Sequence, residues 1–480
     1  VRHERFVNHL WISFFISRVP IAGGIMSGLF KFELFKEMPW KWALWWVLLP
    51  NLAIVAMWPV GGPSMATPMF LCGIFAMIAA QQPHRVIRMG AMLGIFLTVL
   101  AVYVTKSFNI GLKNIIHVDQ YVGELSPAQS PEYVAAGVIL LISMGLALHF
   151  GSRTHKFVSR QQYVMAFAAV ALLVNVDTLA TEGTRGSYKA VAPAGTPIDS
   201  AILQNGINPQ SIAAKNLIVI VVESWGVPNN DFDQGIDRAV WDTSQLQQRY
   251  TASRGISEYY GSTTNAEVRE LCGVWADHNS FDFDNSHCLP ERFREAGFSA
   301  TAYHSFNSEF FSRWEWYPKL GFESSHFEES LRADGAHFCD GVFAGACDVD
   351  VPAVFGKDLK NSKSERNFVY WLTLNAHLPV ASDEVLGTEN CTLGDADWRD
   401  SYPMLCRSYR VHELVADSIF KEIMSDDFPE SDILIVGDHM PPFFPRAIRS
   451  RFDAAHVPWI YLQNREALER KAAASSQHAP

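Results

Sequence analysis

The sequence predicts an α/β catalytic domain behind an N-terminal all-α multispan membrane domain. Long, nearly uncharged apolar runs fill the chain up to about residue 178. After about residue 215, short β-branched runs alternate with helical patterns, as in an α/β sheet. Six of the seven cysteines lie in this second half, which suggests disulfides and an oxidising compartment. The expected organisation is therefore a membrane domain over 1–178, a linker or wrapping segment over 179–214, and an extracytoplasmic catalytic domain over 215–480.

In the first half, Trp42 to Val60 is long enough to cross a bilayer core, which takes roughly 20 residues. Ala66 to Ala80 follows the reversal at Gly61-Gly62-Pro63, and further spans read as Met89 to Thr105, Tyr133 to Phe150 and Gln161 to Val176. Loops carrying Arg85 and Arg88, or Arg153, Lys156 and Arg160, belong on the cytoplasmic side, as do Lys31, Lys36 and Lys41. Five spans then deliver residue 178 to the outer face, in agreement with the cysteines. Residues 8–30 are apolar but hold Arg18 and Pro20, so they read as an interfacial or re-entrant segment, with a sixth span as the alternative. Phe108 to Tyr121 has the pattern of an interfacial amphipathic helix.

In the second half, Leu217 to Val222 reads as a strand buried on both faces of a parallel sheet, and it ends at Glu223. Ser299 to Tyr303 ends at His304, Phe368 to Leu374 runs into His377, and Ile433 to Val436 runs into Asp438-His439. Trp459 to Leu462 is the last strand, with His456 just before it. Helices are expected between them, as at Glu291 to Ala296 and Val411 to Ile423. Sites in such sheets lie beyond the carboxyl ends of the strands. Four apolar runs that each release an acidic residue or a histidine at one edge thus predict a functional cluster there.

Gly261-Ser262-Thr263-Thr264-Asn265-Ala266-Glu267 precedes a helical run from Val268. Thr264 with Glu267 three residues later has the pattern of a capping box, which leaves Thr263 to point outward. Glu223, Asp438, His439 and the Thr263 oxygen make a four-ligand set for one divalent cation, and mixed oxygen and nitrogen donors suit Mn²⁺ or Zn²⁺ better than Ca²⁺. Such an ion favours the ionised hydroxyl, and helix N-terminal amides favour an anionic substrate. The chemistry predicted is displacement at a phosphate or sulfate ester. Pairing of sequence neighbours is the simplest disulfide scheme: Cys272 with Cys288, Cys339 with Cys347, Cys391 with Cys406. Zinc binding by these cysteines lacks the usual CxxC or HxxxH spacing. The formal net charge of −11, with no basic stripe, argues against a nucleic-acid partner.

At Val221-Val222-Glu223-Ser224-Trp225, Gly261-Ser262-Thr263 with Glu267, His304 to Arg313, Leu374-Asn375-Ala376-His377-Leu378-Pro379 and Gly437-Asp438-His439, the chain resembles the alkaline phosphatase/sulfatase superfamily. Within it, the sequence is most similar to membrane-anchored lipoteichoic acid synthases, which are phosphoglycerol transferases, and to the phosphoethanolamine transferases. The resemblance implies an alkaline phosphatase-like (sulfatase-like) α/β fold. It implies metal ligands at Glu223, Thr263, Asp438 and His439, with Thr263 the nucleophile of a phospho-threonine intermediate. It further implies head-group contacts from His304 and Arg313, and a His377 that protonates the leaving group or positions the acceptor. His456 is a further candidate substrate contact from the last strand. A membrane phospholipid would be the donor and an envelope glycan or glycolipid the acceptor, at the plasma (inner) membrane, with the catalytic domain periplasmic or extracellular. The cysteines are more like those of the phosphoethanolamine transferases, and Met440-Pro441-Pro442-Phe443-Phe444 fits neither pattern. An ester hydrolase and an inactive glycan- or lipid-binding protein are the alternatives. A sulfatase of the usual kind needs a Cys or Ser in a C/S-x-P-x-R context, which the residues after Thr263 do not supply.

Overall fold

The computed structural model describes residues 37–60, 62–108, 131–153, 156–181, 190–340, 343–380, 382–443 and 445–476. Residues 8–30, and the expected interfacial helix beyond Phe108, lie outside the described residues. The chain forms two compact units, one helical and one α/β.

The helical unit holds α1 (Trp40–Met57), α2 (Ala66–Ala79), α3 (Arg85–Phe108), α4 (Glu132–Gly151) and α5 (Arg160–Ala180). Four of these are long and apolar enough to cross a membrane. The exception is α2, whose 14 residues reach about 21 Å at ~1.5 Å per residue, short of a ~30 Å hydrocarbon core. Pro50 lacks an N–H for the helical ladder, and the turn before it in α1 is a π-helix, Ala43–Leu48. A buried carboxylate, Asp177 of α5, fastens the α1–α2 connection by accepting from Trp58 Nε1 at 3.0 Å, Ser64 Oγ at 3.1 Å and the Met65 N–H at 2.8 Å. Arg88 is likewise buried and donates to the carbonyls of Ser152, Gln82 and Pro83, so its charge meets backbone dipoles rather than hydrocarbon.

The α/β unit is built on a seven-stranded sheet. Its strands are β1 (Asn216–Val222), β2 (Tyr250–Glu258), β3 (Ser299–His304), β4 (Ser324–His326), β5 (Asn367–Leu372), β6 (Ser431–Gly437) and β7 (His456–Asn464). Their spatial order is β2-β7-β6-β1-β5-β3-β4. The run β6-β1-β5-β3-β4 is parallel, with Val222 opposite Gly437 and His304 opposite Leu372. β1, β5 and β6 are buried along their whole length because helices cover both faces, which is why they read as continuous apolar runs. On the other side of β6 the pairing turns antiparallel. There β7 is antiparallel to β6 and β2 is antiparallel to β7. That reversal brings the carboxyl end of β2, and the helix that follows it, to the same edge as the carboxyl ends of β1 and β6. The helix is α6 (Thr263–Cys272), and α7 (Pro403–Ile423) packs with its buried face towards the core.

The six cysteines of this unit form Cys272–Cys288, Cys339–Cys347 and Cys391–Cys406, while Cys72 of α2 is a buried free thiol. The segment 190–214 wraps the unit. Ala213 N–H binds the Asp432 carboxylate at 3.2 Å, and Trp459 Nε1 donates to Gln204 at 2.9 Å.

Candidate active site

The site starts from two peptide segments that leave adjacent strands and nearly touch. Gly437 ends β6, and a Cβ placed there would lie 2.0 Å from the Trp225 carbonyl oxygen. A Cβ on Gly226 would lie 2.8 Å from Cα of Met440. Only glycine permits this approach, which sets Glu223 beside Asp438 and His439. Between them Ser224 adopts φ 57°, a left-handed conformation that costs about 1–2 kcal/mol for a residue with a Cβ. The strain is offset locally, because Ser224 N–H donates to Asp438 Oδ1 at 2.8 Å and its hydroxyl to Glu223 Oε1 at 2.8 Å.

Thr263 enters from the first turn of α6. The cap differs from the one the sequence suggested. Ser262 is the N-cap, and Asn265, not Glu267, closes the box by accepting the Ser262 N–H at 3.0 Å. Thr264 therefore lies inside the helix, and Thr263 Oγ1 is 3.2 Å from Glu223 Oε2 and 3.4 Å from His439 Nε2. Glu223, Asp438 and His439 are all buried, and one ligand atom from each lies within 4.8 Å of the others.

The electrostatics of this cluster fit a bound cation. Nδ1 of His439 faces the Met440 carbonyl at 3.0 Å and donates to it, so Nε2 is the ring nitrogen left to serve as a metal ligand. Asp438 Oδ2, 3.3 Å from that Nε2, is buried and has no hydrogen-bond donor among the described residues. Burial, then repulsion from Asp438, pushes the Glu223 carboxyl well above the usual carboxylate range. Two carboxylates and an imidazole lone pair in one buried space are costly without a positive charge among them. Glu223, Asp438, His439 and Thr263 are the residues that would hold a divalent ion.

The remaining predicted residues take different positions. His377 leaves the β5 edge half-buried, with Nδ1 donating to the Leu378 carbonyl at 2.8 Å. Burial and the neighbouring His439 push its pKa down to about 3, so the ring is neutral. His304 ends β3 fully buried. Its Nδ1 donates to the Leu372 carbonyl at 3.1 Å, and Nε2 is buried without a hydrogen-bond partner among the described residues. Arg313, expected on a phosphate, turns inward instead. It pairs with Glu267 of α6 at 2.9 Å, and its Nη1 donates to the Phe310 carbonyl at 3.2 Å. Tyr317 and Tyr370 hydroxyls add 2.6 and 3.2 Å bonds to the same carboxylate, which braces α6 from below. His456 stands at the site edge of β7 but pairs with Asp453 at 2.9 Å and is not in the ligand cluster. Phe343 packs on the His377 ring with centroids 4.3 Å apart and continues to Phe310 and Phe311, forming an aromatic wall.

Four supporting residues were not singled out from the sequence. Thr373 Oγ1 accepts the Glu223 N–H at 2.9 Å, and His412 of α7 donates to the Glu223 carbonyl at 3.0 Å. Asp348 follows directly on Cys347 and accepts from the Leu374 and Asn375 N–H groups at 2.8 and 2.6 Å, which fixes the loop that carries His377. Burial raises its carboxyl to about 6. Arg269 of α6 donates to the Gly437 carbonyl at 3.0 Å. A charged residue between the apolar Val268 and Leu271 of a buried helix was the available signal for it.

The Sulfatase family model matches residues 215–472. No curated protein matches the chain. Among solved structures, the lipoteichoic acid synthase LtaP from Listeria monocytogenes is similar at 16% identity, over 53% of this chain and 66% of that one, with a TM-score of 0.41. The phosphoglycerol transferase GacH from Streptococcus pyogenes is similar at 18% identity, over 52% and 69%, with a TM-score of 0.38. The lipooligosaccharide phosphoethanolamine transferase EptA from Neisseria meningitidis is similar at 12% identity, over 91% and 89%, with a TM-score of 0.42. The family match covers more than half of the chain and contains all four clustered residues, so the chain belongs to the sulfatase family.

Proposed function

We propose that the chain is a metal-dependent phosphotransferase that moves a phosphoglycerol or phosphoethanolamine head group from a membrane phospholipid to an envelope glycan or glycolipid. The observation that carries the reading is the placement of Thr263 Oγ1 at the N-terminus of α6, 3.2 Å from Glu223 and 3.4 Å from His439. On this reading residues 1–178 anchor the enzyme in the plasma (inner) membrane, 179–214 link, and 215–480 form the periplasmic or extracellular catalytic domain. Helices long and apolar enough to cross a membrane support a lipid donor, and the six paired cysteines support an oxidising compartment.

Glu223, Thr263, Asp438 and His439 would hold one Mn²⁺ or Zn²⁺, which when bound supplies the positive charge that favours the ionised Thr263 hydroxyl. Thr263 Oγ attacks the head-group phosphorus, the bond from phosphorus to the diacylglycerol oxygen breaks, and diacylglycerol departs with a proton. The amides of the first turn of α6 face the anionic phosphoryl group. In the second step an acceptor hydroxyl attacks the phospho-threonine, the phosphorus–Oγ bond breaks, and Thr263 is regenerated. His377 is held neutral with its Nδ1 hydrogen on Leu378, so its Nε2 can accept a hydrogen bond from the incoming hydroxyl and position it, while the hydroxyl proton ends on the regenerated Thr263. His304 offers a buried Nε2 to the head group, while Arg313 acts through Glu267 on the position of α6. His456 is a substrate contact only if its pairing with Asp453 opens.

The test is to incubate the full-length protein in detergent with Mn²⁺ or Zn²⁺ and lipids carrying labelled head groups. Mass spectrometry then looks for an adduct on Thr263. Wild type is expected to carry the head-group phosphate there, and Thr263→Ala to lose the adduct together with at least ~10³-fold in rate, as for removal of a nucleophile. Activity retained in Thr263→Ala would sink the reading. Release of free head-group phosphate with no acceptor product would identify a hydrolase instead.

A further inference from the structure

We propose that Arg269 is a positioning residue that sets the separation between the Thr263 helix and the Asp438–His439 segment, and so sets how tightly the cluster binds a divalent cation. The inference rests on the reading of that cluster as a cation site.

Nothing covalent holds α6 against the end of β6, since Thr263 and His439 are 176 residues apart in the chain. Beside the Thr263–His439 contact, Arg269 joins them. It is 1% exposed, and its Nη2 and Nη1 donate to the carbonyls of Gly437 at 3.0 Å and Asp438 at 3.4 Å. These are the carbonyls of the residue before the ligand pair and of its first member. A charged fork across two successive carbonyls fixes the tilt of both peptide planes, and hence the direction in which the Asp438 and His439 side chains leave the backbone.

The guanidinium is itself held in place. Its Nε lies 2.7 Å from Glu270 Oε1, and Glu270 is buried. That carboxylate also accepts the Ala201 and Ile202 N–H groups at 3.4 and 3.1 Å, so it is tied to the wrapping segment. The same segment reaches the other side of the nucleophile, where Asp199 Oδ2 accepts the Glu258 N–H at 2.8 Å at the end of β2. The strand before Thr263 and the arginine after it are thus gripped from one stretch of chain. Without Arg269 two buried carbonyls lose their donors, and the ligand segment is free to turn. Loss of such outer-shell support costs roughly 10–100-fold in metal affinity.

The experiment uses full-length protein in detergent, stripped with chelator and titrated with Mn²⁺ alone. Free ion is read by electron paramagnetic resonance, and apo-protein unfolding is followed in parallel. Arg269→Gln is expected to bind Mn²⁺ about 100-fold more weakly, and Arg269→Lys, which keeps the charge but cannot span both carbonyls, about 10-fold more weakly. The bound-Mn²⁺ line shape should broaden or split differently in both variants, a change that a merely structural arginine would not produce. If Arg269→Gln does not fold, Arg269→Lys decides. Wild-type affinity and line shape in a folded Arg269→Lys would overturn the inference and leave the site reading standing. A wild-type protein that binds no Mn²⁺ would overturn both.

Discussion

Two histidines near the cluster stay uncharged chiefly through burial. His377 is pushed down to about 3, by burial first and by His439 second. His412 is pushed down to about 4 by burial, only partly opposed by its bond to the Glu223 carbonyl. In the unfolded chain both rings take up a proton as pH falls through 6.5, whereas in the fold His412 waits until about 4. The unfolded state therefore binds more protons across this window, and stability contributed by the neutral ring is lost as pH drops from 6.5 to about 4. Asp348 and Asp237 run the other way. Their folded pKa values are raised to about 6 by burial, so their contribution is full below 3.8 and lost as pH rises through 6. A His412→Gln variant, which keeps a donor for Glu223, isolates the histidine because the carboxyl contributions cancel in the difference. Wild type is expected to lose about 3 kcal/mol relative to the variant between pH 7.5 and 4, at ~1.4 kcal/mol per pKa unit. Denaturant unfolding at a series of pH values measures it, and parallel curves would mean that the ring is not held neutral.

At the scale of elements, the site depends on how closely the segments leaving β1 and β6 approach. Gly437→Ala puts a methyl group where the Trp225 carbonyl oxygen already sits, 2.0 Å away. One of the two segments must move. Expected consequences are a loss of ~1–3 kcal/mol, typical of overpacking, and a larger fractional loss of metal affinity than of stability. Isothermal titration with Mn²⁺ beside thermal unfolding separates the two, and unchanged affinity would show that the contact does not set the ligand geometry. The same elements show what could be read from sequence. β1, β5 and β6 were legible because helices bury both their faces, so their residues are continuously apolar and their polar endings stand out. β2 was not, because it is the outermost strand and its middle is exposed from Thr251 to Arg254. An apolar run also carries no direction, so nothing in Trp459 to Leu462 revealed that β7 runs against β6. The box at the start of α6 shifted by two residues because Ser262, Thr263 and Thr264 are all competent caps, and only the packed helix selects one. Glu267 was taken for part of that cap because its true donors, Arg313, Tyr317 and Tyr370, lie 46, 50 and 103 residues away. The strand endings marked Glu223, Asp438 and His439, which the fold brings together. The partners that hold them come from long-range packing, which spacing does not encode.

For the whole molecule, the α/β unit should be stabilised by the ion and the helical unit should not. Glu223, Thr263, Asp438 and His439 all belong to the α/β unit, and they come from β1, α6 and the end of β6. Binding one ion closes loops between three distant stretches of chain, so it stabilises only the state in which all three are folded. The three disulfides restrict the same unit through short loops, with sequence separations of 16, 8 and 15, and leave these long separations unconstrained. The linkage is then RT ln(1 + [ion]/Kd), about 2.7 kcal/mol when the free ion stands at 100 times its dissociation constant. In a calorimetric scan of the full chain in detergent, added Mn²⁺ or Zn²⁺ should raise the transition of the α/β unit, and chelator should reverse the rise. The transition of α1–α5, which hold none of these ligands, should stay where it is. A set of Glu223→Gln, Asp438→Asn and His439→Asn variants should each abolish the ion-dependent rise. Their apo transitions should fall less than wild type does on chelation, or even climb, because each substitution removes a charge or a lone pair from a buried cluster that repels itself without the ion. An ion-dependent rise that survives in all three variants would place the cation elsewhere in the molecule.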